Sequence, residues 1–209
     1  MRIYTRKGDD GTTGLLFGGR VKKSSGRIEL VGAVDEAQAA LGLARAEAER
    51  GSELDELLVQ LERDLYVLMA DVATAPANRR KLQPGTTLVT AEMVTALEAS
   101  IDRLSVRFTM PEEFVVPGQD RRSATLDVAR TVVRRAERSA GGLGGGSPVG
   151  GYLNRLSDLL WTMARWQEGD AHLAARRAPK APAPGRTTKR AAKRSGPSGT
   201  TGTREAGKR

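Results

Sequence analysis

The chain has 209 residues, one histidine and no cysteine, so it is long enough for one substantial domain but has neither disulfides nor cysteine-ligated metals. Its formal net charge of +9 is uneven, because residues 176–209 hold eleven Lys and Arg and one acid, whereas residues 1–175 hold 23 bases and 24 acids. The first 175 residues are therefore nearly neutral, and the basic pI does not by itself indicate that a folded domain binds nucleic acid.

In chain order, the first 30 residues show no helical periodicity and predict an ordered arm or short strands around the glycine-rich loop at residues 8–14. Apolar residues at spacings of three and four then predict five helices. These cover residues 34–49, residues 54–72, a segment capped by Thr90, residues 123–139 and a segment that follows Pro148. Residues 75–89 are predicted as a loop and residues 141–146 as a flexible connector.

These elements predict an all-α fold, a five-helix bundle with an N-terminal arm, over residues 1–175. Residues 176–209 contain no Leu, Ile, Val or aromatic residue, so we expect a disordered basic tail. No run of about 18 apolar residues is present, and the N-terminus has no apolar signal core. We therefore expect no membrane span and a cytoplasmic protein.

The predicted fourth helix carries a charged face formed by Arg130, Arg134 and Glu137, which lie three and four residues apart. The opposite, apolar side is predicted to consist of Val128, Val132, Val133 and Ala136. Two guanidinium groups one turn apart, steadied by a carboxylate, suit a polyanion such as a triphosphate. The alternative is a solvated helix face with intrahelical ion pairs.

Three further stretches suggest ligand binding, and each has a simpler alternative. In residues 5–14, glycines and threonines can turn N–H and hydroxyl donors toward an anion, or form an ordinary turn. Lys23 can reach a phosphate or remain solvated, and Asp35 at a helix start can simply favour the helix dipole. Asn154 and Asp158 share a polar face that suits a ribose or a base edge, or is merely exposed.

Taken together, these stretches form a specific series: T-R-K-G-D-D-G-T-T-G-L, R-V-K-K, R-I-E-L-V-G-A-V-D-E, F-V-V-P-G, A-R-T-V-V-R-R-A-E-R and Y-L-N-R-L-S-D-L-L. The series closely resembles the ATP:cob(I)alamin adenosyltransferases of the propanediol-utilisation type over residues 3–166. The resemblance implies a trimer with active sites between adjacent subunits. It also implies that MgATP and a reduced corrinoid bind, that the 5′-deoxyadenosyl group is transferred to cobalt, and that triphosphate leaves.

The resemblance also implies roles for individual residues. Those expected at the ATP site are Thr5, Arg6, Lys7, Gly8, Thr13, Gly14, Lys23, Arg134, Arg135, Ala136, Glu137, Arg138 and Asn154. The residues expected to act in catalysis are Arg130, Arg134 and Phe114. Phe114 is also expected to sit against the corrin and displace the lower ligand, and Asp35 is expected to pair with Arg130 across the subunit interface. No metal ligand is assigned to the Mg²⁺.

Four positions depart from the family pattern, and two other functions remain open. Ser24 stands where an acid is usual, Gln38 where asparagine is common, Gln119 where glycine is common and Asp127 where histidine is frequent. The alternatives are a nucleic-acid-binding helical protein and a non-catalytic carrier of ATP or cobalamin. Expected partners are a reductase or a corrinoid-dependent enzyme, with an acidic partner for the basic tail.

Overall fold

The computed structural model describes residues 4, 6–142 and 147–175, which all lie in one compact unit. Thr5, part of the predicted glycine connector and the whole predicted tail at residues 176–209 lie outside the described residues. In the described part of the chain, each helix is too short or too polar to span a bilayer.

Helices dominate the described residues, which confirms the predicted helical class. The α-helices are α1 (Gly26–Ala46), α2 (Glu53–Val72), α3 (Ala91–Ser105), α4 (Arg121–Ala140) and α5 (Val149–Glu168), with a 3-10 helix at Pro76–Lys81. Two small antiparallel sheets accompany them, formed by β1 (Thr12–Gly14) with β2 (Arg20–Lys22) and by β3 (Val115–Val116) with β4 (Leu173–Ala174). The fold is therefore mainly rather than purely helical.

The core is aliphatic and lies between the helices. Helix α4 packs against α1 and α5, α1 also packs against α2, and α5 packs against α3. On α2 the predicted leucine stripe is buried, with Leu58, Leu65 and Leu68 fully inaccessible. Burial of such a side chain contributes roughly 1.5–3 kcal/mol, so this stripe accounts for the long second helix better than local propensity does.

Side-chain caps begin three of these helices. The hydroxyls of Ser52 and Thr90 accept hydrogen bonds from the amides of Asp55 and Met93, which satisfies donors that a helix start leaves open. The Thr90 cap is as predicted. Helix α4 begins with a capping box, in which Asp120 and Ser123 exchange side-chain and backbone hydrogen bonds.

The prediction was wrong at the start of α1 and on one face of α4. Helix α1 begins at Gly26 rather than near residue 34, because Leu30 extends its buried stripe and Arg27 bonds the carbonyls of Val72 and Thr74 at the end of α2. Such a long-range anchor has no periodic signal in the sequence. Val128 is 50% exposed because the buried stripe of α4 passes through Ala129 and Val133 instead.

The predicted loop at residues 75–89 also contains regular structure, namely the 3-10 helix. Pro76 opens it, with its φ already fixed near the helical value. Buried Asp71 then secures the segment, because its carboxylate accepts from Arg79 Nη1 at 2.7 Å and from the amide of Val89 at 3.1 Å. The loop is thereby held against the end of α2.

Candidate functional site

The N-terminal arm is a hairpin in which Thr13 pairs with Val21 and Gly14 with Arg20. Arg20 lies across its loop, donating to the carbonyl of Lys7 and to the hydroxyl of Thr12. Thr12 in turn donates its hydroxyl and its amide to Asp10 at 2.7 and 2.9 Å, which, together with the charge of Arg20, lowers the pKa of the Asp10 carboxyl. The loop is therefore tied together by polar bonds rather than by burial.

Lys23 folds back over the glycine loop. Its amide donates to the carbonyl of Gly11 at 2.9 Å, and a Cβ placed on Gly8 would lie 3.2 Å from both its Cε and its Nζ. Gly8 therefore permits the ammonium group to approach the loop closely. The structure thus brings together two predicted ATP-site residues that are fifteen positions apart in the sequence.

The backbone of the arm is hydrogen-bonded to the end of α2 and to the 3-10 helix. The amide of Leu16 donates to the carbonyl of Ala73 at 2.9 Å, and Asn78 Nδ2 on the 3-10 helix donates to the carbonyl of Phe17 at 3.2 Å. Phe17 has a φ of 61°, an unusual value for a residue with a Cβ. The arm is therefore held against the end of α2 and the 3-10 helix.

A cleft of about 280 Å³ lies where α1 and α4 pass the end of the arm. Lys23 and Ser139 line it, together with Glu36 and Arg135, which form an ion pair. Both members of that pair are about half exposed, so the attraction is weak and water-screened. Arg135 can exchange Glu36 for a more highly charged anion at little cost.

The remaining residues of the arginine stretch lie on two sides of α4. Arg134 and Arg138 are exposed, and Arg138 Nη1 donates to the carbonyl of Arg134 at 3.0 Å, whereas the side chain of Ala136 is buried in the core. Glu137 does not steady the arginines as expected, because its carboxylate accepts from Asn154 Nδ2 at 2.8 Å. Two predicted ATP-site residues on different helices are thereby joined.

A larger cavity, of about 720 Å³, lies beside the N-terminal half of α4, away from the cleft at Arg135 and Ser139. Phe114, Arg130 and Trp161 are among the residues that line it. Phe114 is 90% exposed. Its carbonyl accepts from the amide of Ala175 at 2.7 Å, and the β3–β4 pairing continues from there. The segment that follows α5 thus holds Phe114 at the cavity while leaving its ring uncovered.

The floor of this Phe114 cavity is charged and buried. Arg165 is 2% exposed, and its Nη2 donates to Asp127 Oδ2 at 2.7 Å and to Glu168 Oε1 at 3.0 Å. Asp127 also accepts from Arg130 Nε at 3.2 Å. Charges are rarely buried unless they are paired in this way.

Comparison with known proteins identifies the family of this chain. The sequence model of the cobalamin adenosyltransferase family matches residues 3–167. The chain belongs to this family. A corrinoid adenosyltransferase from Mycobacterium tuberculosis is 41% identical over 170 residues, which cover 78% of this chain and 87% of the relative.

Two more comparisons extend the likeness to a longer relative and to the fold. The corrinoid adenosyltransferase PduO of Salmonella typhimurium is 38% identical over 178 residues, covering 83% of this chain and 52% of that protein. A variant of the PduO-type ATP:corrinoid adenosyltransferase from Lactobacillus reuteri, solved with cobalamin and ATP, is 26% identical with a TM-score of 0.73, covering 84% of this chain and 97% of that one. This adenosyltransferase therefore has the PduO-type fold.

The predicted residues of this adenosyltransferase fall into two groups within the described chain. Gly8, Lys23 and Arg135 gather at the arm and its cleft, whereas Phe114 and Arg130 line the larger cavity. Asp35 is exposed, and its side chain makes no hydrogen bond or ion pair with other described residues of its own chain. Its pairing with Arg130 across an interface therefore stays a prediction, as do all the residue roles.

Sequence reasoning missed Arg20 and Arg165. Arg20 was visible only as part of the R-V-K-K segment, and its bonds to Lys7 and Thr12 depend on the hairpin register. Arg165 left a clearer signal, since it is a charged residue that directly follows the buried pair Met163 and Ala164 on the apolar stripe of α5. A charge on such a stripe predicts a buried partner.

Proposed function

We propose that this protein transfers the 5′-deoxyadenosyl group of ATP to the cobalt of a reduced corrinoid, cob(I)alamin, and releases triphosphate. The observation that carries this is the family match over residues 3–167, which includes both the arm and the Phe114 cavity. The nucleotide would bind at the arm, and the corrinoid at the Phe114 cavity.

At the arm, the N–H groups of the glycine loop and the ammonium of Lys23 supply donors for the phosphates. Thr5, Arg6, Lys7, Thr13 and Gly14 complete this side, and Arg134, Arg135 and Arg138 supply guanidinium forks. Asn154, held by Glu137, recognises the nucleoside. Because most of these cations are exposed, they remain available to a polyanion from solvent.

Mg²⁺ enters this proposal as the ATP complex. Among the described residues, no group of three or more His, Asp or Glu is close enough to hold a metal ion. Mg²⁺ in nucleotide sites commonly takes one or two carboxylates together with substrate phosphates and waters. When bound, it would neutralise part of the triphosphate charge.

The reaction is a displacement at C5′ of the ribose. The electron pair of Co(I) forms the cobalt–carbon bond, the C5′–O bond breaks, and its electron pair leaves on the triphosphate, so cobalt is formally oxidised to Co(III). Because the substrate is itself the nucleophile, the protein need supply no nucleophile or histidine base. The protein must orient C5′ toward cobalt and stabilise the charge of the departing triphosphate, and Arg130 and Arg134 are proposed for that stabilisation.

Phe114 is proposed to act on the corrinoid. The exposed aromatic ring at the cavity is apolar, so it can occupy the position of the lower ligand without coordinating cobalt and without forming a hydrogen bond. Its displacement of the lower ligand removes an axial donor that stabilises Co(II), which makes reduction to Co(I) easier. A reductase or a corrinoid-dependent enzyme is the expected protein partner.

The proposed assembly is a homotrimer in which Asp35 of one subunit pairs with Arg130 of the next. Two features support this, since Asp35 is exposed and Arg130 uses only its Nε within the described part of its own chain. A site completed between subunits would bring the arm of one copy to the Phe114 cavity of another.

The direct test is to incubate the pure full-length protein with MgATP and chemically reduced cob(I)alamin under anaerobic conditions. We expect the corrinoid spectrum to change to that of a light-sensitive cobalt–carbon bond, with one triphosphate released per product. A reaction without ATP is the control. ATP and corrinoid binding without product, while a known adenosyltransferase works alongside, would instead indicate a non-catalytic carrier.

A further inference from the structure

Asp127 occupies the wall between two cavities. It is 5% exposed and lines both the Phe114 cavity and a neighbouring one of about 310 Å³ beside Pro117 and Gly118. Arg130 lines the same two cavities. The Asp127–Arg130 pair is therefore part of the surface that any ligand of the Phe114 cavity meets.

The two carboxylate oxygens of Asp127 serve different arginines. Oδ2 accepts from Arg165 Nη2 at 2.7 Å, and Oδ1 accepts from Arg130 Nε at 3.2 Å. A neutral histidine in place of Asp127 would present only one acceptor nitrogen. The carboxylate in this chain can bridge two guanidinium groups where a histidine could not.

The charges of the cluster balance only when Arg130 is included. Asp127 and Glu168 place two carboxylates on the single guanidinium of Arg165, and Glu168 approaches it with both oxygens, at 3.0 Å from Nη2 and 2.8 Å from Nε. These three side chains are almost completely buried. Arg130 supplies the second positive charge, and its one bond to the cluster is to Asp127.

The geometry leaves the outer edge of Arg130 available. Its Nε is bonded to Asp127, while its Nη1 and Nη2 groups make no hydrogen bond to other described residues. A guanidinium is planar, with five donors in a fixed fork. Holding Nε therefore restricts the plane and presents the Nη edge to a ligand or to a carboxylate of a neighbouring subunit.

We propose that Asp127 is a positioning residue that fixes the orientation of Arg130, and that Arg165 holds Asp127 in place for this task. The expected effect on kcat rests on the proposed function, because it requires that Arg130 acts in adenosyl transfer. Glu168 completes the charge balance on the far side of Arg165 without contacting Arg130.

The test compares Asp127→Asn with Glu168→Gln, which each remove one carboxylate charge from the same cluster without changing side-chain volume. An asparagine keeps one of the two acceptor oxygens and turns a donor NH₂ toward the arginine on its other side. Arg165 is the more deeply buried and takes the oxygen, so Arg130 loses its acceptor. Glu168→Gln leaves both bonds of Asp127 intact and is the matched control.

We expect kcat with MgATP and cob(I)alamin to fall about tenfold in Asp127→Asn, within the range of coupling between contacting residues. Glu168→Gln should keep kcat near the wild-type value. In an Arg130→Ala background, Asp127→Asn should cause no further loss. Crystal structures of the ligand-free variants should show the Arg130 guanidinium displaced in Asp127→Asn and unmoved in Glu168→Gln.

An unmoved Arg130 in Asp127→Asn, equal losses in the two single variants, or an undiminished loss in the Arg130→Ala background would each overturn the inference. If Asp127→Asn does not fold, Asp127→His is measured in its place with the same expected outcome, because it too offers one acceptor. If the wild-type protein forms no cobalt–carbon bond, the proposed function fails, and the crystal structures still decide whether Asp127 positions Arg130.

Discussion

The arm and the Phe114 cavity are built on opposite physical principles. The arm is held by hairpin and backbone hydrogen bonds, and Lys23 on the arm and Arg135 of the adjoining cleft are exposed. The ion pair of Arg135 with Glu36 is weak. The Phe114 cavity has an exposed ring above a buried cluster in which Asp127 and Arg165 are bonded at 2.7 Å. Exposed cations can bind a multiply charged ligand at low cost, because their existing ion pairs are weak. Buried ion pairs hold their side chains in fixed positions, because separating them costs much more free energy.

Substitution of an exposed arginine tests whether the cations beside the arm act on the leaving group. Arg134→Ala should lower kcat by about 100-fold or more, by analogy with loss of one oxyanion-hole donor, while the melting temperature stays unchanged. Steady-state kinetics and thermal unfolding measure the two. Arg63→Ala, which removes an exposed arginine of α2, is the control. Near-wild-type kcat and KM for ATP in Arg134→Ala would rule out the role.

Asp35→Ala tests whether Arg130 has a second partner outside its own subunit. If the pair is buried at an interface, its loss should cost about 3 kcal/mol of association free energy, the lower end of the cost of breaking a buried pair. Analytical ultracentrifugation and activity together measure the effect. Glu49→Ala removes an exposed acid after α1 and should change neither. An unchanged trimer with unchanged activity would count against the pairing.

Phe114→Ala tests whether the exposed ring at the cavity displaces the lower ligand of the corrinoid. It should lower adenosylation of cob(II)alamin supplied with a reductase about tenfold more than that of pre-reduced cob(I)alamin, a difference of about 1.4 kcal/mol. The reason is that only the first assay requires removal of the lower ligand before reduction. Val106→Ala, at a residue that is 86% exposed, is the matched control. Equal losses in both assays would indicate general binding or packing.

Arg20→Ala tests whether the polar bonds of the arm shape the ATP site. Loss of its hydrogen bonds to Lys7 and Thr12 should loosen the loop and raise the KM for ATP by about five- to tenfold, equivalent to roughly 1 kcal/mol, with little change in kcat. Lys22→Ala removes the neighbouring exposed cation and controls for charge. If both variants raise the KM equally, the effect is electrostatic and not a matter of loop structure.

The smallest effect is expected from removing residues 176–209, which would show that both regions are complete without them. Melting temperature and kcat/KM should stay near the values of the full chain, whereas retention on heparin across a salt gradient should fall sharply, since that segment carries all of the excess positive charge. Loss of the catalytic rate at fixed trimer content would assign the segment to the active site instead.

The helical class and the long helices could be predicted from local patterns in the sequence. The leucine stripe of α2 and the Thr90 cap are local patterns whose meaning depends on residues three or four positions away. The series of motifs likewise indicated the family, which the comparisons confirm. The early start of α1 was missed because Arg27 is anchored to Val72 and Thr74, far along the chain.

The pairing of the charged residues depends on how the helices pack and could not be predicted from the sequence. Glu137 was expected to steady the arginines of its own helix, but it accepts from Asn154 of α5 because that amide faces it across the helix packing. Asp127 was visible only as a departure from a family pattern, and its bonds to Arg130 and Arg165 depend on how α4 lies against α5. Hydrophobic periodicity indicates which face of a helix is buried, but the partner of a buried charge is set by the element that packs on that face.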